Sequence, residues 1–330
     1  MHAVSLLDDA MGYMYPAALG TAAKLGIADE LAGGPKTVAE LAAATGTHGP
    51  FLYRMLRLLA SRGVFREDGD GRFHLTERAD GLRADSPVSV RKAVIGMTST
   101  VVWRPVELLE TAVREGTSVF ERTFGAPFFE YIQREPVAAA LFYEGMAAFS
   151  DAVDSLVIEA YEFPSTGTLV DVGGGFGGLL LRALRRNPGL RGVLFDREQA
   201  LSGHLLGQLG ADDRWAAVGG DFFVEVPAGD HYLMKYVLHD WSDDECVRIL
   251  TNCRRAMAPG GRVLIVESVL APGNEPDTGK LLDLMMMTNL TGRERTEAEF
   301  AAVLGEAGLR IARVVPTQAP VSVVEAVPSA

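Results

Sequence analysis

Residues 168–178 read TLVDVGGGFGG, an apolar run that ends in an acid and then breaks into five glycines within six residues. The run has the length and branched character of a strand, and Gly178–Arg186 has the apolar spacing of a helix. Glycines at such a strand-to-helix turn supply positive φ and let backbone approach a ligand closely. Gly173, Gly175 and Gly178 formally satisfy G-x-G-x-x-G, a weak signal by itself because several cofactors use such turns. Working outward, RGVLFD (191–196), WAAVGGD (215–221), HYLMKYV (231–237) and GRVLIVESV (261–269) read as further strands. Helical segments such as 178–186 and 243–257 lie between them, so the class is α/β, with a mostly parallel sheet covered on both faces. LRIARVVPT (309–317) and VSVVEAV (321–327) flank a short turn and read as an antiparallel terminal hairpin at the sheet edge.

The N-terminal region, residues 1–95, follows a different pattern. Helix-sized apolar patterns run around Ala17–Leu31 and Val38–Ala44. In FLYRMLRLLASRG, Leu52, Met55, Leu56 and Leu59 fall on one helical face, and Gly63 supplies the stop. VFREDGDGRFHLT then reads as two short strands around an Asp-Gly turn. Helix, helix, helix, hairpin is the order of a winged helix. Residues 96–330 are read as an aromatic-rich helical connector, to about 163, followed by the α/β domain. The stretch 271–279, APGNEPDTG, reads as a surface loop.

With 330 residues, 48% hydrophobic and 22% charged, the chain is long enough for about two globular domains. No stretch reaches the roughly 18 uninterrupted apolar residues of a membrane span. The first residues lack a basic region and carry Asp8 and Asp9, so a cytoplasmic location is expected. A net charge of -12 speaks against non-specific association with nucleic acid or anionic membranes. Cys246 and Cys253, seven apart on one helical face, match neither a redox pair nor a zinc site and are expected in the core.

Three acids fall at the carboxyl ends of three successive strands, where open α/β sheets bind ligands. Asp171 stands two residues before Gly173, where a negative charge would oppose a pyrophosphate but suits a cation. Asp196 ends the next strand and can accept both hydroxyls of a ribose. Asp221 ends the third, in reach of an adenine amino group, with Phe222 and Phe223 beside it to cover the ring. A cationic nucleoside without phosphate, S-adenosylmethionine, fits this set better than a dinucleotide.

The segment LMKYVLHDWSDDEC (233–246) carries Lys235 near the end of the fourth strand and His239, Asp240 and Trp241 in the loop beyond. Ser242 with Glu245 three residues later forms a capping box that fixes where the next helix begins. Glu267 ends the neighbouring strand and Glu294, in GRERT, can return to the same opening. A carboxylate bonded to one imidazole nitrogen fixes the tautomer and raises the basicity of the other. Methyl transfer from a sulfonium needs an acceptor that loses its proton. From a phenol of pKa about 10 to an imidazole of about 6.5 this is uphill by roughly 4–5 kcal/mol, so the base needs such support. No metal is required.

Taken in order, DVGGGFGG, VLFD, GGDFF, KYVLHDWSDDEC, RVLIVESVL, DLMMMTNLTGRERTEAEF and SVVEAV resemble the plant caffeate-type and bacterial polyketide-tailoring O-methyltransferases over nearly the whole chain. The resemblance implies a Rossmann-like methyltransferase sheet behind a winged-helix dimerisation domain, hence a homodimer. It implies that Gly173, Asp196, Asp221, Phe222 and Lys235 contact S-adenosylmethionine; Asp171, Gly175, Phe223 and Trp241 are grouped with them. His239 would be the general base, flanked by Glu267 and Glu294. On the acceptor side stand Asp240, Met286 and Asn289, with Trp103, Phe128, Tyr143 and Met146 from the connector forming an apolar wall for an aromatic ring. Arg197-Glu198 depart from the family's usual apolar-proline continuation, which touches only the local turn.

The implied activity is methylation of a hydroxyl on an aromatic small molecule, in bacterial secondary metabolism such as antibiotic biosynthesis. Relatives of the same fold that methylate nitrogen, or assist hydroxylation or decarboxylation, form the alternative. A DNA-binding winged-helix regulator is the rival of another class. Residues 1–95 carry eleven Lys/Arg against eleven Asp/Glu, without the basic face that duplex binding requires.

Overall fold

The computed structural model describes residues 2–210 and 213–329, grouped into two compact units. Residues up to Arg104 together with Ile132–Ala152 form one, and Pro105–Tyr131 with the chain from Val153 onward form the other. The chain thus passes between them more than once, through the region read as a connector.

In the first unit, β1 (Lys36–Thr37), β2 (Phe65–Glu67) and β3 (Arg72–Leu75) make an antiparallel sheet in the order β1-β3-β2. The pattern around Ala17–Leu31 is two helices, Met14–Leu25 and Ile27–Leu31, because Gly26 at φ 68° ends the first in a left-handed cap. Helix Gly49–Ser61 carries Pro50 in its first turn and buries Leu52, Leu56 and Leu59. These meet Leu41, Phe65 and Phe73 in one core. Each of the two phenylalanines, fully buried, contributes about 2–3 kcal/mol of hydrophobic free energy.

The second unit is built on a seven-stranded sheet in the order β6-β5-β4-β7-β8-β10-β9. The strands are β4 (Thr166–Val172), β5 (Gly189–Asp196), β6 (Trp215–Gly219), β7 (Gly229–Lys235), β8 (Met257–Glu267), β9 (Leu309–Pro316) and β10 (Ser322–Pro328). β4 to β8 run parallel. The terminal hairpin adds to them antiparallel, with β10 between β8 and β9, so that β9 forms one edge of the sheet and β6 the other. Cys246 and Cys253 lie fully buried on helix Asp243–Ala256, in the core of this sheet. Sequence order reverses on either side of β4, and that reversal opens a crevice at the carboxyl ends of β4, β5 and β7. Among the described residues no helix is long and apolar enough to cross a membrane.

Candidate active site

β4 delivers the glycine turn to the crevice. Gly173 has φ 68° and donates its N–H to the Phe195 carbonyl at 2.8 Å. A Cβ at Gly173 would stand 2.9 Å from Val237 Cγ2, so glycine is needed there both for conformation and for close packing. The carboxylate of Asp196 accepts the N–H of Gly175 at 2.9 Å and of Arg197 at 2.7 Å, tying the end of β5 to the turn. Asp221 is exposed two residues past β6, its carboxylate accepting the Phe223 N–H at 2.8 Å.

Asp171 is buried at the end of β4. Burial, with Asp154 and Asp196 adding negative charge, raises it to about 7 against the pull of Lys235. Lys235 ends β7 and forms an ion pair with Asp154 of helix Pro136–Ala160. Around the glycine turn Lys235 meets Asp154 and Asp171, Arg197 acts on Asp196, and the acids outnumber the cations by one. A ligand bringing positive charge relieves that imbalance, whereas a diphosphate would add to it.

β7 ends because Tyr236 takes φ 55°, a left-handed conformation rare for an aromatic residue. The reversal brings the N–H groups of Val237, Leu238 and His239 onto a single oxygen, Glu267 Oε1, at 3.0, 2.6 and 3.3 Å. Glu267, fully buried at the end of β8, thus holds the backbone of the loop in an anion nest. Burial raises it to about 7, while the positive charge of His239 draws it down.

Glu294 grips the imidazole itself, with Oε1 at 2.7 Å from His239 Nδ1. On the other side Asp240 Oδ1 lies 3.4 Å from Nε2, and the Tyr236 ring packs with its centroid 5.4 Å from the imidazole. His239 is only 5% exposed. Burial opposes its charged form, but Asp240, Glu294 and Glu267 outweigh burial and raise it to about 10. Of the two glutamates singled out in the sequence, one therefore orients the ring and the other the chain that carries it.

Trp241 stacks on Phe129 at 5.4 Å and 19°, and meets Phe223 and Phe222 edge-on at 4.8 and 5.9 Å. Phe128, expected on the acceptor wall, is buried against Phe120 at 4.9 Å; its neighbour Phe129 is the one that reaches Trp241. Met286 and Asn289 are buried on helix Thr278–Asn289, and the Asn289 amide donates to the Met285 carbonyl at 2.8 Å. Trp103, Tyr143 and Met146 belong to the other unit, with Tyr143 exposed and the other two half-buried. The sequence assigns no site role to Asp154, Phe129 or Arg295, although Phe129 counts among the connector aromatics. No local signal marks the first two, and Arg295 lies unremarked inside GRERT.

Residues 7–84 match a family model described as an O-methyltransferase dimerisation domain, and residues 106–310 one described as an O-methyltransferase domain. A phenazine O-methyltransferase of Lysobacter antibioticus is 44% identical over 98% of this chain and 95% of its own length. The mitomycin biosynthesis 6-O-methyltransferase of Streptomyces lavendulae is 38% identical over 93% of this chain and 89% of its own. Among solved structures, that of CalO1, a methyltransferase in calicheamicin biosynthesis in its SAH-bound form, superposes with a TM-score of 0.92 at 45% identity. It covers 99% of this chain and 98% of that one.

Proposed function

Because the chain belongs to the O-methyltransferase family, we propose that it transfers the methyl group of S-adenosylmethionine to a hydroxyl of an aromatic small molecule, with His239 as general base. The observation that carries this reading is the buried His239–Glu294 pair beside a crevice rich in acid. The names of the relatives support a polycyclic secondary metabolite, of the phenazine kind, as the acceptor. The same family supports a homodimer formed through the N-terminal unit.

When bound, S-adenosylmethionine supplies an electrophilic methyl on a cationic sulfur. Asp196 would accept the ribose hydroxyls, and Asp221 with Phe222 would take the adenine; the acids around Gly173 and Gly175 suit the positive charge. Lys235 serves this site through Asp154, whose carboxylate it holds. In the neutral ring Glu294 holds the proton on His239 Nδ1, and Nε2, 3.4 Å from Asp240 Oδ1, is the nitrogen that takes the acceptor's proton. Raised to about 10, the imidazole matches a phenol, which removes the roughly 4–5 kcal/mol gap an ordinary histidine would face. Asp240, Met286, Asn289 and Phe129 stand closest to the role of acceptor contacts in this unit.

The test is calorimetry with S-adenosylhomocysteine, followed by a screen of hydroxyphenazines and hydroxynaphthoates for methylated product. Asp196→Ala is expected to weaken nucleoside binding about 100-fold, since two hydrogen bonds to a charged group are lost. His239→Ala should bind the nucleoside as wild type does, yet lose about 100-fold or more in kcat. Near-wild-type turnover by His239→Ala removes the base assignment, and absence of nucleoside binding removes the whole reading.

A further inference from the structure

Residues 291–295, TGRER, lie along the backbone of the catalytic loop. A Cβ on Gly292 would stand 2.0 Å from the His239 carbonyl oxygen, 2.4 Å from the Trp241 nitrogen and 2.5 Å from the Asp240 carbonyl carbon. Two steps on, Glu294 bonds the imidazole. Arg295 then places a guanidinium, 1% exposed, beneath the same turn. Nη1 donates to the Leu238 carbonyl at 2.9 Å and Nη2 to the Trp241 carbonyl at 2.9 Å, the two carbonyls that bracket His239 and Asp240. Nε and Nη2 also reach Asp243 Oδ1 at 3.0 and 2.8 Å, and Nη2 lies 3.3 Å from Cys246 Sγ.

A fully buried guanidinium is a costly way to gain stability, because apolar packing of the same volume often does as well. Its planar fork, however, fixes two carbonyls and a carboxylate in one plane, which neither apolar packing nor a lysine reproduces. Above the turn, Glu267 holds three N–H groups; below it, Arg295 holds the carbonyls.

We propose that Arg295 and Gly292 are positioning residues that set the Leu238–Trp241 turn so that the His239 imidazole meets Glu294 through Nδ1 and presents Nε2 to the acceptor. The expected loss of rate rests on the reading of His239 as base, but the geometry itself is measured without it.

The experiment is a histidine-labelled NMR titration of Arg295→Lys and Gly292→Ala, with S-adenosylhomocysteine affinity measured alongside. The His239 signal is identified by its loss in His239→Ala. Arg295→Lys keeps the positive charge, so any shift it causes reports geometry and not a missing cation. The groups facing the imidazole, Asp240, Glu267, Glu294 and Tyr236, remain in both variants. As the ring drifts from Glu294, the His239 midpoint should fall toward the ordinary histidine value by roughly one pH unit or more. Nucleoside affinity should stay within about threefold and kcat fall about tenfold or more. A residue that merely stabilises the fold would lower Tm and leave the midpoint in place, and an unchanged midpoint in both variants overturns the proposal. Should both prove too unstable to purify, Asp243→Asn, at a half-exposed position that loosens one anchor of Arg295, makes the same test in milder form. Full turnover by His239→Ala would remove the base and leave this inference standing; an unchanged midpoint would do the reverse.

Discussion

Asp240, Glu267 and Glu294 surround one imidazole, and the balance of their charges decides the pH at which that imidazole is neutral. Only a neutral ring accepts a proton. Because the carboxylates outweigh burial and raise His239 to about 10, kcat/KM is expected to climb with pH, with a midpoint above the ordinary 6.5. Glu294→Gln removes one of the charges that favour the imidazolium, so the midpoint should move to lower pH. The maximal rate should still fall about 10- to 100-fold, because Nδ1 loses its ionic partner. A pH–rate profile of the two proteins checks this, and a midpoint unmoved or displaced to higher pH contradicts it. At this scale the sequence disclosed Asp171, Asp196, Asp221 and Glu267 because each sits within two residues of a strand end, while His239 and Glu294 stand out only through the motifs that hold them. Asp154 and Arg295 escaped notice because their partners, Lys235 and the Leu238–Trp241 turn, lie 81 and more than 50 residues away. Nothing local distinguishes a buried, paired charge from a solvated one.

Among the elements, helix Asp243–Ala256 shows how much a short pattern settles. Ser242 accepts the Glu245 N–H while the Glu245 carboxylate returns to the Ser242 N–H at 2.9 Å, the reciprocal box its spacing announces. The loop that carries His239 therefore ends at a fixed point. Ser242→Ala should cost about 1 kcal/mol, read in chemical denaturation, and Thr37→Ala, which opens a box of the same kind in the other unit, about as much. A Ser242→Ala protein as stable as wild type would show that the loop is held by Glu267 and Arg295 alone. Strands were legible for a similar reason: buried parallel strands are continuous apolar runs between polar turns. What alternation does not reveal is partner choice. The terminal hairpin lies at the sheet edge as its sequence reads, but that β10, and not β9, is the strand that joins β8 is not written in the pattern. Nor does periodicity reveal a break such as Gly26, since the apolar pattern runs straight across it.

For the whole molecule, the N-terminal helices leave apolar side chains in solvent that a monomer has no use for. Leu6 and Leu7 are 66% and 63% exposed, and Met11, Tyr13, Met14 and Phe51 are more than half exposed as well. Single exposed apolar residues are ordinary, but five of them between residues 6 and 14 are the mark of an association surface. They fall largely within residues 7–84, the part that matches the dimerisation domain. Burying six such side chains on each of two chains contributes of order 10 kcal/mol before the cost of association is counted, a gain of the same order as that cost. Light scattering on the purified protein should therefore give twice the mass of one chain at micromolar concentration. Introducing charge by Leu6→Asp with Leu7→Asp places up to four carboxylates in a symmetric interface, where each faces either apolar surface or its own copy. That variant should shift toward the monomer while still binding S-adenosylhomocysteine, because the crevice at β4, β5 and β7 lies in the other unit. If it remains a dimer, association uses another face; if nucleoside binding is lost along with the dimer, the crevice depends on the assembled pair.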